Sequence, residues 1–354
     1  MKIHLLSGFL GSGKTTAIQN ACNELMKNQK NVGVITNDQG ISLVDGGFFE
    51  HLKIPNRQVM NGCFCCNYND LDNSIQSLIK TNKPDVIFAE SVGSCTDIVA
   101  TVMKPLLKFR PEAQVSFSTF ADVRLLKMLL QKNSSFDESV SYIYFKQLEE
   151  AEIIVISKID LIDNNSLEEM KQLVNKKFGD KILLYQNSFN ATNIRQWLKV
   201  MDKKFGTTPP SLQINYNIYG AGEAKLAWHD QQLEIQSRSY NAAQATNGLI
   251  KTISQKIHFN EYPIGHLKFL LNGEKKISVT YVPQEELFDI DENEKNNSAG
   301  LLINARVQTS PETLSHIVSE AIKETEIKFD CKIVVKSNAS FQPGYPKPAY
   351  RIID

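Results

Sequence analysis

The sequence predicts an α/β protein: a mostly parallel sheet with helices on both faces, followed by a smaller α+β domain. Three observations predict this architecture. Up to about Phe205, short β-branched runs alternate with amphipathic stretches, as in parallel sheets covered by helices. A glycine-rich motif, Gly8–Thr15, lies between the first predicted strand and the first predicted helix. After Gly206–Ser211, which contains two prolines, strands and helices follow in a different rhythm.

Composition narrows the class of protein. A chain of 354 residues is longer than most single domains, so we expect two. The numbers of basic and acidic residues are equal, 39 and 39, so we expect neither nucleic acid nor an anionic membrane as partner. No apolar run approaches the roughly 20 residues of a membrane span. Met1–Ser7 leads directly into the glycine-rich motif and leaves no room for a targeting signal, so the cytoplasm is the expected location.

The N-terminal domain is predicted to cover residues 1–205. Its strands are predicted from short apolar runs: Lys2–Ser7, Val32–Thr36, Val86–Glu90, Val115–Phe120, Ile153–Ser157 and Ile182–Tyr185. Its helices are predicted from amphipathic stretches: Thr15–Lys27, Leu71–Thr81, Asp97–Leu107, Val123–Leu130, Ser139–Glu150, Leu167–Phe178 and Ile194–Val200.

The remaining chain is predicted to be a linker over 206–228, an α+β domain over 229–338 and a tail over 339–354. The α+β domain is expected to form an antiparallel sheet with two helices on one face. Its elements are predicted at Leu233–Tyr240, Ala242–Ile257, Ile264–Leu271, Lys276–Val282, Gly300–Val307, Pro311–Lys323 and Cys331–Lys336. The acidic segment Gln284–Ser298 indicates a solvated loop, with a weak cation site as the alternative. The tail has three prolines among aromatic residues, which favours an extended strap packed on its own domain, or docked on a partner.

The motif Gly8–Thr15 has the spacing of a phosphate-binding P-loop, between a strand and a helix as that motif requires. Glycines let backbone amides turn toward phosphates at a helix N-terminus, whose dipole favours anions. We expect Lys14 to reach the β- and γ-phosphates and the Thr15 hydroxyl to bind Mg²⁺. The sequence therefore predicts a P-loop NTPase.

The choice of base depends on Ser157–Asp160, Ser-Lys-Ile-Asp, directly after a buried strand. GTPases have Asn-Lys-x-Asp there, with the aspartate accepting from guanine. Asp160 can accept those hydrogen bonds, and the stem of Lys158 can lie along the base, whereas Ser157 departs from the usual asparagine. The alternative is a polar turn after a strand, and we favour guanine over adenine.

Two further carboxylates follow predicted strands. Glu90 ends the strand before Gly93, whose N–H could face a γ-phosphate, and Glu90 could orient a magnesium-bound or attacking water. Asp38 follows the second strand in a segment, Asn37–Gly40, that suits a switch loop. We expect its carboxylate near the metal and the edge of the nucleotide, and we expect it to act in catalysis together with Lys14 and Glu90. Each could instead be a simple capping carboxylate.

Cys63, Cys65 and Cys66 place three thiols within four residues, just before a predicted helix. Thiols stay reduced in the cytoplasm, so clustered cysteines favour a metal site over disulfides. Three sulfurs suit Zn²⁺ or a similar ion, and leave a fourth position for water or another side chain. The alternatives are structural cysteines and a redox pair. The isolated cysteines are expected to be packing residues: Cys22, Cys95 and Cys331.

These residues together resemble the CobW-type metallochaperone GTPases, relatives of the UreG and HypB nickel-insertion GTPases. The resemblance is carried by Ser7–Thr16, Gly62–Cys66, Glu90–Gly93 and Ser157–Asp160. It implies that the second domain is similar to the CobW C-terminal domain. It also implies site roles: phosphates and Mg²⁺ at Gly11, Ser12, Gly13, Lys14, Thr15 and Thr16; guanine at Lys158 and Asp160, with Ser157 beside them; γ-phosphate and metal sensing at Glu90 and Gly93; and an internal metal site at Cys63, Cys65 and Cys66.

The resemblance implies slow GTP hydrolysis coupled to delivery of Zn²⁺, Co²⁺ or Ni²⁺, or to activation of a metal or corrinoid cofactor, in a client protein. The client would be a metalloprotein or a corrinoid enzyme, and relatives form nucleotide-dependent homodimers. Two alternatives are a metal-sensing GTP switch that delivers nothing, and an assembly GTPase with structural cysteines. Besides Ser157, the chain departs from the family at Asp38, where glutamate is common, which bears on the fourth metal ligand.

Overall fold

The computed structural model describes residues 1–40, 44–60, 62–203, 208–279 and 295–354. These residues form two compact units. The first comprises Met1–Gln39, Leu52–Gly222 and Tyr345–Asp354, and the second comprises Gly40–His51 and Glu223–Gly344. Most of the acidic segment Gln284–Ser298 lies outside the described residues.

The first unit contains a seven-stranded parallel sheet, which confirms the predicted fold class. Its strands are β1 (Lys2–Gly8), β2 (Val32–Asn37), β3 (Asn56–Val59), β4 (Val86–Glu90), β5 (Gln114–Asp122), β6 (Ile153–Ser157) and β7 (Ile182–Gln186). Their order across the sheet is β3-β2-β4-β1-β5-β6-β7. All six predicted strands are present, and their buried runs of apolar residues form the centre of the unit.

Strand β3 is absent from the sequence prediction. It lies at the edge of the sheet, pairs in parallel with β2, and has only four residues. Only its last residue, Val59, is buried. An edge strand this short and polar carries no apolar run, so the pattern that predicts the central strands fails here.

The helices of the first half of the chain include all seven that the sequence predicts. They are α1 (Lys14–Lys27), α2 (Val44–His51), α3 (Tyr68–Asn82), α4 (Lys104–Phe109, preceded by a π-helical turn at Val99–Met103), α5 (Val123–Leu130), α6 (Glu138–Glu150), α7 (Asn164–Phe178), α8 (Ala191–Met201) and α9 (Tyr216–Ala224). Helix α9 lies inside the range 206–228 that we expected to be a linker, and most of it belongs to the first unit. Within the described ranges, no helix combines the length and the apolar character needed to cross a membrane.

The second unit contains a five-stranded antiparallel sheet, as the sequence predicts. Its elements are β8 (Leu226–Ser237), α10 (Ala242–Phe259), β9 (Ile264–Leu271), β10 (Lys275–Val279), β11 (Ser298–Gln308), α11 (Pro311–Phe329) and β12 (Cys331–Phe341). The strand order is β10-β9-β11-β8-β12. Both α10 and α11 contribute side chains to one hydrophobic core shared with the strands.

Helix α2 was not predicted, and it belongs to the second unit although it follows β2 in the chain. Two consecutive glycines give this segment a low helix propensity. Tertiary contacts compensate: the carboxylate of Asp45 accepts hydrogen bonds from Lys268 and Lys276. The backbone N–H of Val44 donates to Oδ1 of Asn304 at 2.8 Å. Contacts distant in sequence therefore specify this helix.

A buried ion pair joins β8 and β11. The guanidinium of Arg306 donates to Oδ1 of Asp230 at 2.7 Å, and the two side chains are 0% and 2% exposed. Nδ2 of Asn304 donates to the same oxygen at 2.8 Å, and the guanidinium lies 3.9 Å from the ring centre of Trp228. A β-carbon on Gly40 would lie 1.9 Å from Oδ2 of Asp230. The carboxylate therefore also excludes any side chain at residue 40.

We predict that Arg306→Met destabilises the second unit by about 3–5 kcal/mol, because it leaves the Asp230 carboxylate buried without its cation. Urea unfolding would be followed by tryptophan fluorescence in a Trp197→Phe background. Since the chain has two tryptophans, the remaining signal comes from Trp228.

Two variants control this prediction. The double variant Asp230→Asn/Arg306→Met removes the buried charge as well and should recover part of the loss. Lys336→Met breaks an exposed pair with Glu234, whose side chains are 48% and 32% exposed, and should cost at most about 1 kcal/mol. Equal losses for Arg306→Met and Lys336→Met would contradict the prediction.

Candidate functional site

The glycine-rich motif forms the turn from β1 into α1. Gly11 and Gly13 have φ angles of 73° and 89°, a left-handed region that glycine enters without strain. Nζ of Lys14 donates to the backbone carbonyl of Gly8 at 2.6 Å and lies 4.0 Å from Oε1 of Glu90. The ammonium group therefore lies back over the loop that the sequence predicts to hold phosphates.

Thr15 and Glu90, from α1 and the end of β4, are brought together. The Thr15 hydroxyl is 3.0 Å and 3.1 Å from the two carboxylate oxygens of Glu90, and both residues are buried. Thr16, the next residue of α1, is half-buried. A hydroxyl beside a carboxylate matches the oxygen ligands of Mg²⁺, which binds few protein groups and keeps several waters. These side chains fit a magnesium ion next to the P-loop.

Two further features of the loop fit a bound phosphate. The hydroxyl of Ser12 is buried and has no hydrogen-bond partner among the described residues. Buried polar groups are normally paired, so a ligand oxygen would satisfy it. At the end of β4, a β-carbon on Gly93 would lie 2.9 Å from the backbone nitrogen of Leu10. The backbone of Gly93 therefore lies directly against the P-loop.

The predicted guanine-binding residues lie at the end of β6 and directly after it, next to the P-loop. The hydroxyl of Ser157 donates to the carbonyl of Ser12 at 2.6 Å. In place of the usual asparagine, Ser157 therefore holds the P-loop backbone directly. Nζ of Lys158 lies 2.9 Å from Oδ2 of Asp122, and Asp160 is exposed in the turn that follows. An exposed carboxylate at this position is accessible to a base.

Asp122 is a site residue that the sequence reasoning missed. It ends β5, caps α5 through the N–H of Arg124, and pairs with the side chains of Arg124 and Lys158. Although burial raises its pKa, these two cations lower the pKa of Asp122 to about 2. The carboxylate is thus ionised and orients Lys158. A carboxylate ending a strand next to a helix start was the available signal.

The three predicted thiols meet in the turn before α3. The Sγ atoms of Cys63, Cys65 and Cys66 all lie within 4.8 Å of one another. The separations are 2.6 Å for Cys63–Cys65, 3.3 Å for Cys63–Cys66 and 3.8 Å for Cys65–Cys66. A tetrahedral zinc ion with Zn–S bonds of about 2.3 Å holds its sulfurs about 3.8 Å apart. The cluster fits such an ion if the Cys63–Cys65 pair opens by roughly 1 Å.

The pKa values of the three thiols are shifted in different directions. Hydrogen bonds from Cys65, Cys66 and Cys95 hold the pKa of Cys63 well below its ordinary value. Hydrogen bonds with Cys63, Cys66 and Cys95 raise the pKa of Cys65. The hydrogen bond with Cys63 raises the pKa of Cys66 to about 11. The neighbouring thiols therefore favour the thiolate form of Cys63 over that of Cys65 or Cys66, and the thiolate is the form that binds a soft cation.

Cys95, which the sequence analysis placed among the isolated packing cysteines, lies closer to the cysteine turn than its place in the sequence suggests. Cys95 is fully buried, and its thiol is a hydrogen-bonding partner of both Cys63 and Cys65. The residues are some thirty positions apart in sequence, so local spacing could not reveal the contact. Among the described residues, none of the ligand atoms of Cys22, Cys95 and Cys331 completes the group of three thiols that lie within 4.8 Å of one another.

Asn37, at the end of β2, connects the predicted switch segment to the cysteine turn. Its Nδ2 donates to the carbonyl of Gly62 at 2.7 Å, and its Oδ1 accepts from the N–H of Phe64 at 2.8 Å. The neighbouring Asp38 donates its N–H to the carbonyl of Val59 at 3.2 Å. Among the described residues, the carboxylate of Asp38 does not join the cluster formed by the thiols of Cys63, Cys65 and Cys66.

The C-terminal tail does not pack on its own domain, which corrects the sequence prediction. Its residues Tyr345–Asp354 belong to the first unit. The N–H of Ala349 donates to the carbonyl of Cys65 at 2.8 Å. The N–H of Lys347 contacts Sγ of Cys66 at 3.3 Å. The prolines predicted the extended conformation but not the surface that the tail covers.

Sequence comparison places the chain among known proteins. It is 28% identical over 191 residues to the zinc chaperone YeiR of Escherichia coli strain K12, covering 52% of this chain and 54% of that one. It is 28% identical over 203 residues to the zinc chaperone CobW of a Sinorhizobium species, covering 50% and 56%. It is 26% identical over 186 residues to the zinc-regulated GTPase metalloprotein activator 1 of Schizosaccharomyces pombe, covering 49% and 43%.

These matches span about half the length of each relative. The family model described as the CobW/HypB/UreG nucleotide-binding domain matches residues 2–183, which is more than half of the chain and contains both the P-loop and the cysteine turn. The chain belongs to the CobW/HypB/UreG family.

Proposed function

We propose that this protein is a GTPase that couples GTP binding and hydrolysis to holding a transition metal at Cys63, Cys65 and Cys66 and delivering it to a client protein. The observation that carries the proposal is the bridge made by Asn37. Its amide joins the end of β2 to the cysteine turn, and β2 pairs with β4, which ends at Glu90. A nucleotide that moves either strand end would also move the thiols.

Zinc is the favoured metal among Zn²⁺, Co²⁺ and Ni²⁺. Two of the relatives are named zinc chaperones and a third a zinc-regulated activator, and a cluster of thiols suits zinc. The client would be a metalloprotein that receives the ion or has its metal cofactor activated.

The nucleotide would be held by the backbone of the P-loop, with Lys14 moving from the Gly8 carbonyl to the β- and γ-phosphates. Mg²⁺, when bound, neutralises charge on the transferred phosphate; Thr15 and Glu90 would hold it, directly or through water. Phosphoryl transfer depends mainly on positioning and charge neutralisation, which the buried Lys14 and the backbone of Gly93 would provide. Coupling requires the metal to have different affinities for the GTP and GDP states.

The base specificity gives one prediction. Asp160→Asn replaces an acceptor pair that matches the N1–H and amine of guanine by an amide. We expect GTP affinity to fall roughly 10- to 100-fold, while xanthosine triphosphate, which has a carbonyl in place of the amine, gains affinity. Competition binding with both nucleotides measures the change.

Asp163→Asn is the matched control, because Asp163 is a nearby exposed carboxylate that caps α7 and asparagine caps helices equally well. It should leave both affinities unchanged. If Asp160→Asn left the preference for GTP intact, the assignment of Asp160 to guanine would be wrong.

The coupling itself gives the decisive prediction. We expect anaerobic zinc affinity to differ between the GDP and non-hydrolysable GTP states by at least about fivefold, the lower end of typical allosteric coupling. Cys63→Ala should weaken zinc binding in both states, since it removes the stabilised thiolate. Equal zinc affinity in both nucleotide states, or unchanged affinity in Cys63→Ala, would sink the proposal.

A zinc-release assay distinguishes a protein that delivers zinc from one that only senses it. The loaded protein is mixed with a zinc-chelating dye and given either GTP or the non-hydrolysable analogue. A delivery protein should transfer zinc to the dye faster with GTP than with the analogue, because hydrolysis opens the site. A metal-sensing switch would retain zinc with both nucleotides. Lys14→Ala, which should not bind GTP productively, provides the baseline.

A further inference from the structure

Three thiolates leave a tetrahedral zinc ion one ligand short. Zinc in proteins is almost always four-coordinate, with a fourth sulfur in closed structural sites and an open position elsewhere. In the described part of the chain, no carboxylate or imidazole joins the group formed by Cys63, Cys65 and Cys66. Among the described residues, the remaining candidate for a fourth protein ligand is another thiol near the group.

Cys95 is the thiol next to this group. Its side chain is fully buried and is a hydrogen-bonding partner of Cys63 and Cys65, the two inner sulfurs. Cys66, the outer sulfur, is only half-buried. The Sγ of Cys95 is not among the three that all lie within 4.8 Å of one another, so ligation by Cys95 would require the turn that carries it to move toward the cluster.

We propose that Cys95 is a fourth thiolate ligand of the metal and that it connects the thiol cluster to the P-loop. This inference rests on the proposed function, because it needs a metal at Cys63, Cys65 and Cys66. Cys95 lies two residues after Gly93 in the chain. A nucleotide contact at Gly93 would therefore act on a ligand of the metal.

The turn from Gly93 to Cys95 is short and firmly held. At one end, the backbone of Gly93 lies against Leu10 of the P-loop, where a β-carbon would come within 2.9 Å of the Leu10 nitrogen. Along it, Nε2 of Gln147 donates to the carbonyls of Gly93 at 3.0 Å and Cys95 at 2.8 Å. Because one amide holds both carbonyls, a shift of Gly93 toward a γ-phosphate would move Cys95 with it.

The metal site would therefore alternate between four sulfur ligands and three. With Cys95 bound, the ion has four sulfurs and no open position, which is the geometry of zinc sites that retain their metal. With Cys95 withdrawn, three sulfurs would hold the ion less tightly, so an incoming ligand that reaches it past the half-buried Cys66 could remove it. We assign the closed form to the GTP state, because the proposed cycle releases metal after hydrolysis.

The test is zinc X-ray absorption on the full-length protein, loaded anaerobically with one equivalent of Zn²⁺ and the non-hydrolysable GTP analogue. We expect four sulfurs at about 2.3 Å in the wild type and three in Cys95→Ala. Zinc affinity should fall by more than the roughly 10- to 100-fold typical of losing an outer contact. Cys95→Ser, which keeps the size and a hydrogen-bonding group, serves if the alanine variant does not fold, and should also give three sulfurs.

Cys22→Ala is the matched control, because it removes another fully buried thiol that is not part of the cluster. It should leave the sulfur count and zinc affinity unchanged. A second measurement compares zinc affinity with GDP and with the analogue in Cys95→Ala. The difference between the two states should shrink relative to wild type.

The outcomes separate this inference from the proposed function. If the wild type binds zinc with three sulfurs, or if Cys95→Ala keeps both the sulfur count and the nucleotide dependence, the role of Cys95 is overturned while metal binding stands. If the wild type binds no zinc in either state, the proposed function fails and this inference fails with it.

Discussion

The parallel pairing of β2, β4 and β1 is the constraint on which the candidate site depends. In this register Glu90, the last residue of β4, pairs with Leu6 of β1 on one side and with Thr36 of β2 on the other. Parallel strands end at the same edge of the sheet, so three loops start side by side there. One is the P-loop, the second begins at Asn37, and the third leads to Gly93 and Cys95. The sheet itself therefore places the nucleotide site next to the thiols.

What the sequence could predict follows from where the free energy of each element comes from. Central strands such as β1 and β6 are buried on both faces, so continuous apolar runs in the sequence predict them. The P-loop can be predicted as well, because its residues have a fixed local spacing. Helix α2 is stabilised by partners far along the chain, such as Lys268 for Asp45, whereas the edge strand β3 is too short and polar to carry an apolar run. Cys95 illustrates the same limit within the site. Its contacts with Cys63 and Cys65 are created by the sheet, and no local pattern records them.

Two buried clusters in the described part of the chain, one around Asp230 and one around Cys63, are stabilised in different ways. In the second unit, the buried carboxylate of Asp230 is matched by the cation of Arg306 and by Asn304. In the thiol cluster, hydrogen bonds from other thiols and from a backbone N–H lower the pKa of Cys63 against the effect of its burial, and these donors are all neutral. Burying a charge without a counterion is costly. A divalent cation would supply the positive charge that these neutral donors lack.

The tail that covers the cysteine turn fixes a direction for ligand exchange. Cys63, Cys65 and Cys95 are buried, whereas Cys66 is partly accessible beside the backbone of Lys347. An acceptor thiol or imidazole arriving from solvent therefore meets Cys66 before any other sulfur. Metal would leave by stepwise substitution that begins at Cys66 and proceeds inward. An acceptor shaped to displace or share the path of residues 345–354 would exchange metal faster than a free chelator of equal affinity.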